Sequence, residues 1–230
     1  MADDVAWQAR KLLRAARSAT LATARDGQPF ASLVTPACAA DLSMLMLLSS
    51  LSEHTAHLLA EPRCAILVTG TPADLNPQTA PRLSVVGRAT PDPDPELRAR
   101  WVALHPYAAF YAGLGDFRIF RLHMERCHFI GGFASAHRLR PADIAPDAAA
   151  VGAVAEMETS IIAGTDAAML ARIAGGPEWR MASVDVDGCD LVRGEMVRRI
   201  AFSAPVADAG GVAAELRRLS AAAARAARCG

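Results

Sequence analysis

Between residues 18 and 139 the chain consists of short apolar or alternating runs that are separated by turn residues. Runs of this length with a two-residue period are typical of β-strands, because successive side chains of a strand point to opposite faces of a sheet. The run LSMLMLLS is apolar throughout, which predicts a strand buried on both faces, and Asp26 with Gly27 predicts a tight hairpin. The runs are SATLATA, PFASLVTPACA, LSMLMLLS, CAILVTG, PRLSVVGRAT and FRIFRLHMERCHFIGG, the last read as two strands. Many short strands with only brief helices between them predict a β-barrel.

The character of the chain changes at residues 141–147. Alanine becomes frequent, and AAAVGAVAEMETSIIAGTDAAMLARIA has a helical pattern, as does the final AGGVAAELRRLSAAAARAAR. Between them, EWRMASVDVDGCDLVRGEMVRRIAFSAPV alternates like a small antiparallel sheet, with a turn expected at Asp187 and Gly188. We therefore expect an α+β protein of two domains, a barrel over residues 1–146 and a small α/β domain over residues 147–230.

Charge and composition exclude several classes of protein. The 24 basic and 24 acidic side chains give a formal net charge of zero, so no broad surface for nucleic acid or an anionic membrane is expected. MADDVAWQARKLLRAARS lacks the apolar stretch of a signal peptide, and no stretch approaches the roughly 20 apolar residues that span a bilayer. The five cysteines are scattered without a CxxC pair, which favours reduced, buried thiols over a zinc or redox centre. We expect a cytoplasmic protein without nucleic-acid or membrane partners.

A cluster of small polar residues follows the most apolar strand. It contains Ser49, Ser50, Ser52, His54 and Thr55, and Ser52 is positioned to cap a short helix that ends before a proline. Two interpretations remain open at this point. The residues belong to a capped surface helix, or they bind an anion, because hydroxyls and the first N–H groups of a helix are suitable donors for a phosphate.

The order of the motifs resembles the split-barrel flavin-binding proteins related to pyridoxamine 5′-phosphate oxidase. The matching stretches are SATLATARDGQPFASLV, LLSSLSEHTAHLLAEPRCAILV, PRLSVVGRAT and CHFIGGFASAHRL. The GGF motif, which ends at Phe133, and the domain after it are similar to the subgroup that includes heme-degrading split-barrel proteins. The resemblance covers nearly the whole chain and implies a split barrel, a bound FMN, and a homodimer with the cofactor at the subunit interface.

The resemblance also implies which residues hold the cofactor. The serines and the first turn of the helix after them correspond to phosphate and ribityl contacts, Arg82 to the cation, and PFASLV to the strand beside the isoalloxazine ring. The implied cofactor-binding residues are Ser32, Leu33, Val34, Ser49, Ser50, Ser52, His54, Thr55 and Arg82. The redox chemistry would belong to the flavin, and no side chain stands out as a catalytic acid or base.

These features predict a flavin-dependent oxidoreductase acting on an unidentified small molecule. The alternative is a heme- or tetrapyrrole-related binding or regulatory module without flavin turnover. Heme iron needs an axial ligand, which is a histidine near the chain's end in the heme-degrading relatives, whereas this chain has none after His137 and only Cys229 in its tail. His123 and His128 are five residues apart in a strand-like run and should face opposite sides of a sheet, so we predict no metal site.

Overall fold

The computed structural model describes residues 5–132 and 135–229. Phe133 of the GGF motif and the side chain of Cys229 lie outside this description. In the part that is described, the protein divides into two compact units. The first comprises residues 1–102 and 108–145, and the second comprises residues 103–107 and 146–230.

The first unit is a split barrel. Among the described residues, eight strands form one antiparallel sheet in the order β2-β1-β5-β6-β7-β4-β3, with β8 paired to β7. The strands are β1 (Ala19–Arg25), β2 (Gln28–Val34), β3 (Pro36–Cys38), β4 (Met44–Ser49), β5 (Arg63–Thr69), β6 (Arg82–Pro91), β7 (Phe117–Gly132) and β8 (Ser135–Leu139). The sheet and its curl confirm the split-barrel prediction, although FRIFRLHMERCHFIGG is one long strand, not two.

Two local predictions in the barrel are confirmed. Asp26 and Gly27 have positive φ angles of 50° and 80° and join β1 to β2 with Arg25 opposite Gln28, the geometry that an Asp-Gly turn favours. In β4 all five residues of Met44–Leu48 are buried, so both faces of the strand are covered. The apolar run LSMLMLLS therefore forms the strand that its composition predicts.

Short helices surround this sheet. They are α1 (Val5–Ala15), α2 (Glu53–Ala60), α3 (Pro95–Leu104), α4 (Ala109–Ala112) and α5 (Pro141–Ile144). Helix α1 buries Ala9 and Leu13 in the core, and it also buries Arg14, whose guanidinium donates to the carbonyl oxygens of Ala39 and Ala40 at 2.5 and 2.8 Å. The basic residues of α1 are thus not simply a solvated face, because one of them fixes the loop after β3.

A β-bulge interrupts the pairing of β6 and β7. Val86 lies opposite Arg126 but Gly87 lies opposite Met124, so β7 carries one extra residue at this point. The extra residue reverses the alternation along β7, and His123 and His128 are both exposed. The expectation that these two imidazoles face opposite sides of the sheet was therefore wrong.

The second unit packs helices against a small sheet. Its elements are α6 (Ala148–Gly164), α7 (Ala167–Ala174), β9 (Arg180–Asp185), β10 (Gly188–Arg193), β11 (Met196–Ala201) and α8 (Ala209–Cys229), with strand order β11-β10-β9 in the described chain. The Asp166 side chain accepts a hydrogen bond from Ala168 N at 2.9 Å and starts α7 after a break. The turn between β9 and β10 consists of Val186 and Asp187, one residue earlier than expected, and Gly188 opens β10.

A buried ion cluster lies within this unit. Arg199 on β11 donates two hydrogen bonds to Asp185, at 2.7 and 2.9 Å, and one to Asp190 at 3.0 Å. Their side chains are 6%, 2% and 3% exposed, respectively. Burial opposes the charge on the guanidinium, but the two carboxylates more than compensate for it and raise the pKa of Arg199. Ser183 adds a hydroxyl donor to Asp190 at 2.8 Å.

Among the described residues, four cysteines are buried and form no disulfide, namely Cys38, Cys64, Cys127 and Cys189. Burial raises the pKa of the Cys64 thiol to about 11 and that of Cys189 to about 12, which keeps both in the unreactive thiol form. Within the described ranges, no helix combines the length and the apolar character that crossing a bilayer requires.

Candidate functional site

The polar cluster predicted from sequence lies where β4 ends and α2 begins. Ser49 is the last residue of β4 and pairs with Phe117, the first residue of β7. Ser52 is the N-cap residue of α2 and has extended backbone angles, but its side chain makes no capping hydrogen bond. The predicted position of the cap is right, whereas the predicted side-chain bond is absent, which leaves this hydroxyl available to a ligand.

Asp116 holds the beginning of this loop. The Ser49 hydroxyl donates to Asp116 Oδ2 at 2.7 Å and accepts a hydrogen bond from Leu51 N at 3.1 Å, and the backbone N–H of Ser50 donates to the Asp116 carbonyl at 2.8 Å. The hydroxyl of Ser49 therefore shapes the loop. Sequence reasoning missed Asp116 because 67 residues separate it from Ser49.

His54 connects the first turn of α2 to β2. Its Nδ1 shares a hydrogen bond with the Ser32 hydroxyl at 3.1 Å, so two predicted site residues from distant parts of the chain are brought together. The ring is half-buried. Burial, followed by the nearby His57 imidazole, lowers the pKa of His54 below its usual value. A neutral imidazole is therefore favoured at neutral pH.

His57 lies beneath this pair and is almost fully buried. Its Nδ1 shares a hydrogen bond with Thr23 Oγ1 at 3.0 Å, and its Nε2 contacts Glu53 Oε1 at 3.1 Å. The Phe30 ring meets the imidazole edge to face, with ring centroids 5.4 Å apart. Glu53 and His57 are four residues apart on one helix, so the sequence could have predicted their contact. It could not have predicted the contact with Thr23. His57 fastens α2 to β1 and β2.

The remaining predicted residues of this region differ in their exposure. Thr55 is 2% exposed, and its hydroxyl has no hydrogen-bond partner among the described residues. Leu33 is 77% exposed on β2, while Val34 is buried in the barrel core. Only the backbone of Val34 is thus placed to touch a ligand outside the core.

Arg82 is the predicted residue that the fold separates from the others. It lies opposite Ile130 on β7, whereas Ser49 lies opposite Phe117, and 13 residues of β7 separate these two positions. This amounts to roughly 40 Å along the strand. The Arg82 guanidinium donates to the carbonyl oxygens of Gln78 and Ala80. Along β7, Arg82 and the serine cluster therefore lie at opposite ends of the strand.

The assembled cluster can bind an anion through neutral donors. The first two N–H groups of α2, those of Glu53 and His54, have no acceptor within the helix because the helix begins there. The hydroxyls of Ser50 and Ser52 lie beside them, and the helix N-terminus favours negative charge. The only charged groups described in contact with the cluster are carboxylates, from Asp116 and Glu53. A phosphate bound here would need a cation from elsewhere.

The pKa of His54 can be tested directly. Because its pKa in the folded protein is lowered, the stabilisation by the neutral ring is fully present above about pH 6.5 and is lost as the pH falls through the folded-state pKa. An NMR titration is expected to give His54 a pKa below 6.5. In the His57→Gln variant that pKa should rise, since the second cause of the depression is removed. A pKa at or above 6.5 in the unaltered protein would contradict the burial argument.

No group of three or more His, Cys, Asp or Glu side chains in the described ranges is arranged to hold a metal ion.

Comparison with known proteins relates the barrel to one protein family. The sequence model of the family described as pyridoxamine 5′-phosphate oxidase matches residues 7–131. The chloroplastic heme oxygenase HOZ of Arabidopsis thaliana is 34% identical over 114 residues, which are 48% of this chain and 34% of that protein. The match therefore extends over about a third of the length of that relative.

Two solved structures resemble nearly the whole chain. A protein of unknown function from Agrobacterium tumefaciens strain C58 is 25% identical, with a TM-score of 0.74 over 96% of this chain and 95% of that one. A heme binding protein from Mycobacterium smegmatis is 23% identical, with a TM-score of 0.60 over 98% of this chain and 99% of that one. At this level of identity, the second likeness concerns the fold alone.

Proposed function

Because the chain belongs to the pyridoxamine 5′-phosphate oxidase family, we propose that it is a homodimeric, FMN-dependent oxidoreductase that acts on a small molecule. The observation that carries this proposal is the donor set at the start of α2. The hydroxyls of Ser50 and Ser52 and the first N–H groups of the helix form a neutral cradle for a phosphate. These groups fit the terminal phosphate of FMN.

The flavin, when bound, supplies the electron-transfer chemistry. The chain's own residues bind and orient it. Ser32 and His54 lie on the β2 side of the cradle and are held at a fixed separation by their shared hydrogen bond. Nδ1 of His54 is engaged in that bond, so Nε2 is the ring atom available to hold or release a proton near the site.

The proposal includes a second subunit, which would supply the cation that the donor set lacks. A phosphate near Asp116 needs a cation, and the Arg82 of the same chain is roughly 40 Å away along β7. The outer face of β2, β1 and β5 offers a surface for a second copy. Its side chains are uncharged and adjacent in register, and they are Thr20, Ala22, Ala31, Leu33, Ala65 and Leu67. Exposed apolar patches of this kind mark protein interfaces.

In this dimer, Arg82 would reach the phosphate from the second subunit. Replacing Arg82 with alanine is then expected to weaken FMN binding by about 1.5–3 kcal/mol, because a charge-assisted hydrogen bond is removed. Fluorescence titration of the apoprotein with FMN measures this loss. Arg88→Ala is the matched control, because Arg88 lies on the same strand and is paired with Glu125 at 3.2 Å on the surface.

The outcomes of the FMN titration are distinct. If the unaltered protein binds FMN and only Arg82→Ala weakens it, both the cofactor and the cation are supported. Equal affinities for Arg82→Ala and the unaltered protein would remove Arg82 from the site. A protein that is colourless as purified and cannot be reconstituted with FMN would contradict the proposal as a whole. Reduction by NADH or NADPH, followed by oxygen consumption, then tests turnover.

A second candidate function is heme- or tetrapyrrole-related binding without flavin turnover. It is favoured by the 34% identity to a heme oxygenase, which extends across 48% of this chain. The absorption spectrum after addition of hemin separates the two candidates. A Soret band that shifts on binding supports the heme-related function, whereas flavin bands that persist in the presence of hemin support FMN.

A further inference from the structure

A cavity of about 520 Å³ lies on the outer face of β6, β7 and β8, within the first unit. We call it the β7–β8 cavity. Its lining residues are Ser84, Val86, Arg126, Cys127, His128, Arg138, Leu139 and Arg140. The volume is within the range of sites for small organic ligands. Three of the eight lining residues are arginines and none is acidic, which distinguishes this cavity from ordinary mixed surface.

The strand register concentrates these cations. His128 lies directly opposite Arg138 on β8 and opposite Ser84 on β6. Arg126 lies two residues before His128 on β7, on the same exposed face of the strand. Side chains directly opposite one another in antiparallel strands are about 5 Å apart at Cβ, so Arg138 is a neighbour of His128, and Arg126 is the next residue along the same face.

Two of the three arginines are not compensated. Arg140 forms an ion pair with Asp143 at 2.7 Å, but Arg126 and Arg138 have neither an ion-pair nor a hydrogen-bond partner within the described residues. The nearest carboxylate in sequence, Glu125, is paired with Arg88 instead. Like charges brought together across a sheet are destabilising in the absence of a counter-ion. An anion that binds between the two arginine side chains would relieve this repulsion and stabilise the folded protein.

The uncharged lining residues indicate what else the ligand would contact. Val86 lies opposite Arg126 in the strand register and provides aliphatic wall on the same face, and the Cys127 thiol is uncharged because burial raises its pKa to about 12. A bare inorganic ion would leave this wall without contacts. An organic molecule with an apolar body and one anionic end can use both parts of the cavity.

We propose that the β7–β8 cavity binds a small organic anion, with its phosphate or paired carboxylates on Arg126 and Arg138 and its apolar body against Val86. The guanidinium forks suit either anion, since both accept two parallel hydrogen bonds. This site goes beyond the proposed flavin site. It lies near residues 126–128 of β7, whereas the serine cluster lies beside Phe117, roughly 30 Å away along the strand.

The experiment uses three probes, namely phenyl phosphate, phthalate and inorganic phosphate, with calorimetric titration of the full chain. At least one of the two organic probes is expected to bind roughly tenfold more tightly than inorganic phosphate, because only they contact the apolar wall. Comparison of phenyl phosphate with phthalate identifies the preferred anionic group. Arg126→Gln and Arg138→Gln are each expected to weaken the better organic probe about 10- to 100-fold.

The control is Arg118→Gln. Arg118 is an exposed arginine of the same strand that lies outside the cavity, so its loss changes the net charge equally and should leave probe affinity within twofold. Thermal unfolding of each variant verifies that the barrel is intact. FMN affinity is measured on the same samples and is expected to be unchanged in the cavity variants.

Three results would overturn the proposal. They are failure of both organic probes to bind with a dissociation constant below about 10 mM, an equal loss in Arg118→Gln, and a parallel loss of FMN in Arg126→Gln and Arg138→Gln. The last result would make the arginines part of the flavin site. Failure of the unaltered protein to bind FMN, by contrast, would leave the probe result intact and would concern only the proposed oxidoreductase function.

Discussion

Replacing Arg199 with methionine is expected to lower the free energy of unfolding of the second unit by about 3–5 kcal/mol. Methionine has a similar length but cannot neutralise the carboxylates of Asp185 and Asp190, which are both nearly inaccessible to solvent. The two buried carboxylates would then lose the guanidinium that attracts both of them, and less of the cost of their desolvation would be offset. Urea denaturation followed by circular dichroism measures the change.

Arg180→Met is the matched control for this substitution. Arg180 lies on β9 of the same sheet, is exposed, and makes no ion pair in the described part of the chain, so its replacement should change stability by less than about 0.5 kcal/mol. The triple variant Arg199→Met with Asp185→Asn and Asp190→Asn should recover part of the loss. Similar stabilities for Arg199→Met and Arg180→Met would show that the ion cluster does not hold this unit together.

Replacing Gly87 with alanine is expected to destabilise the barrel by about 2–3 kcal/mol. A Cβ atom at Gly87 would collide with the backbone carbonyl of His123, which the bulge in β7 pushes against β6. Because the obstructing atoms are backbone, no rotation of a side chain relieves the contact. Thermal unfolding monitored by circular dichroism should show a lowered midpoint.

Gly113 provides the comparison for Gly87. Its φ angle is −80°, and a Cβ atom there meets no described atom within 4 Å, so Gly113→Ala should be neutral or slightly stabilising. If both alanine variants unfold at the temperature of the unaltered protein, β6 and β7 can separate at the bulge without cost. The close approach would then not be a constraint on the sequence at this position.

The strand pattern of the barrel could be predicted because it depends on local signals. The two-residue period of β1 and β2, the continuous apolar run of β4, and the Asp26–Gly27 turn each act within a few residues. Where the signal was ambiguous, the prediction failed in detail. Residues Phe117–Gly132 form one long strand where two were expected, and nothing in the sequence of β7 indicates the extra residue at the bulge opposite Gly87.

The candidate site was predictable only in part. The cluster from Ser49 to Thr55 could be found because its members are neighbours in sequence. The bond between Ser32 and His54 and the bond between Ser49 and Asp116 join residues 22 and 67 positions apart, and pairing at such distances depends on the register of strands. Arg82 illustrates the same difficulty. The sequence shows that Arg82 begins a strand, but it does not show that this strand starts beside Ile130, at the end of β7 away from the serine cluster.

The sequence by itself determined that this protein is a barrel of short strands followed by a helix-rich unit, with a polar junction after its most buried strand. Hydrophobic period and turn chemistry are properties of adjacent residues, so they act before the chain has folded. The tertiary structure alone decided that Arg126 and Arg138 line one cavity, that Arg82 and the serine cluster lie beside opposite ends of β7, and that Arg199 is paired with two buried carboxylates. Those relations arise from strand order and register, which place charges together that no local pattern connects.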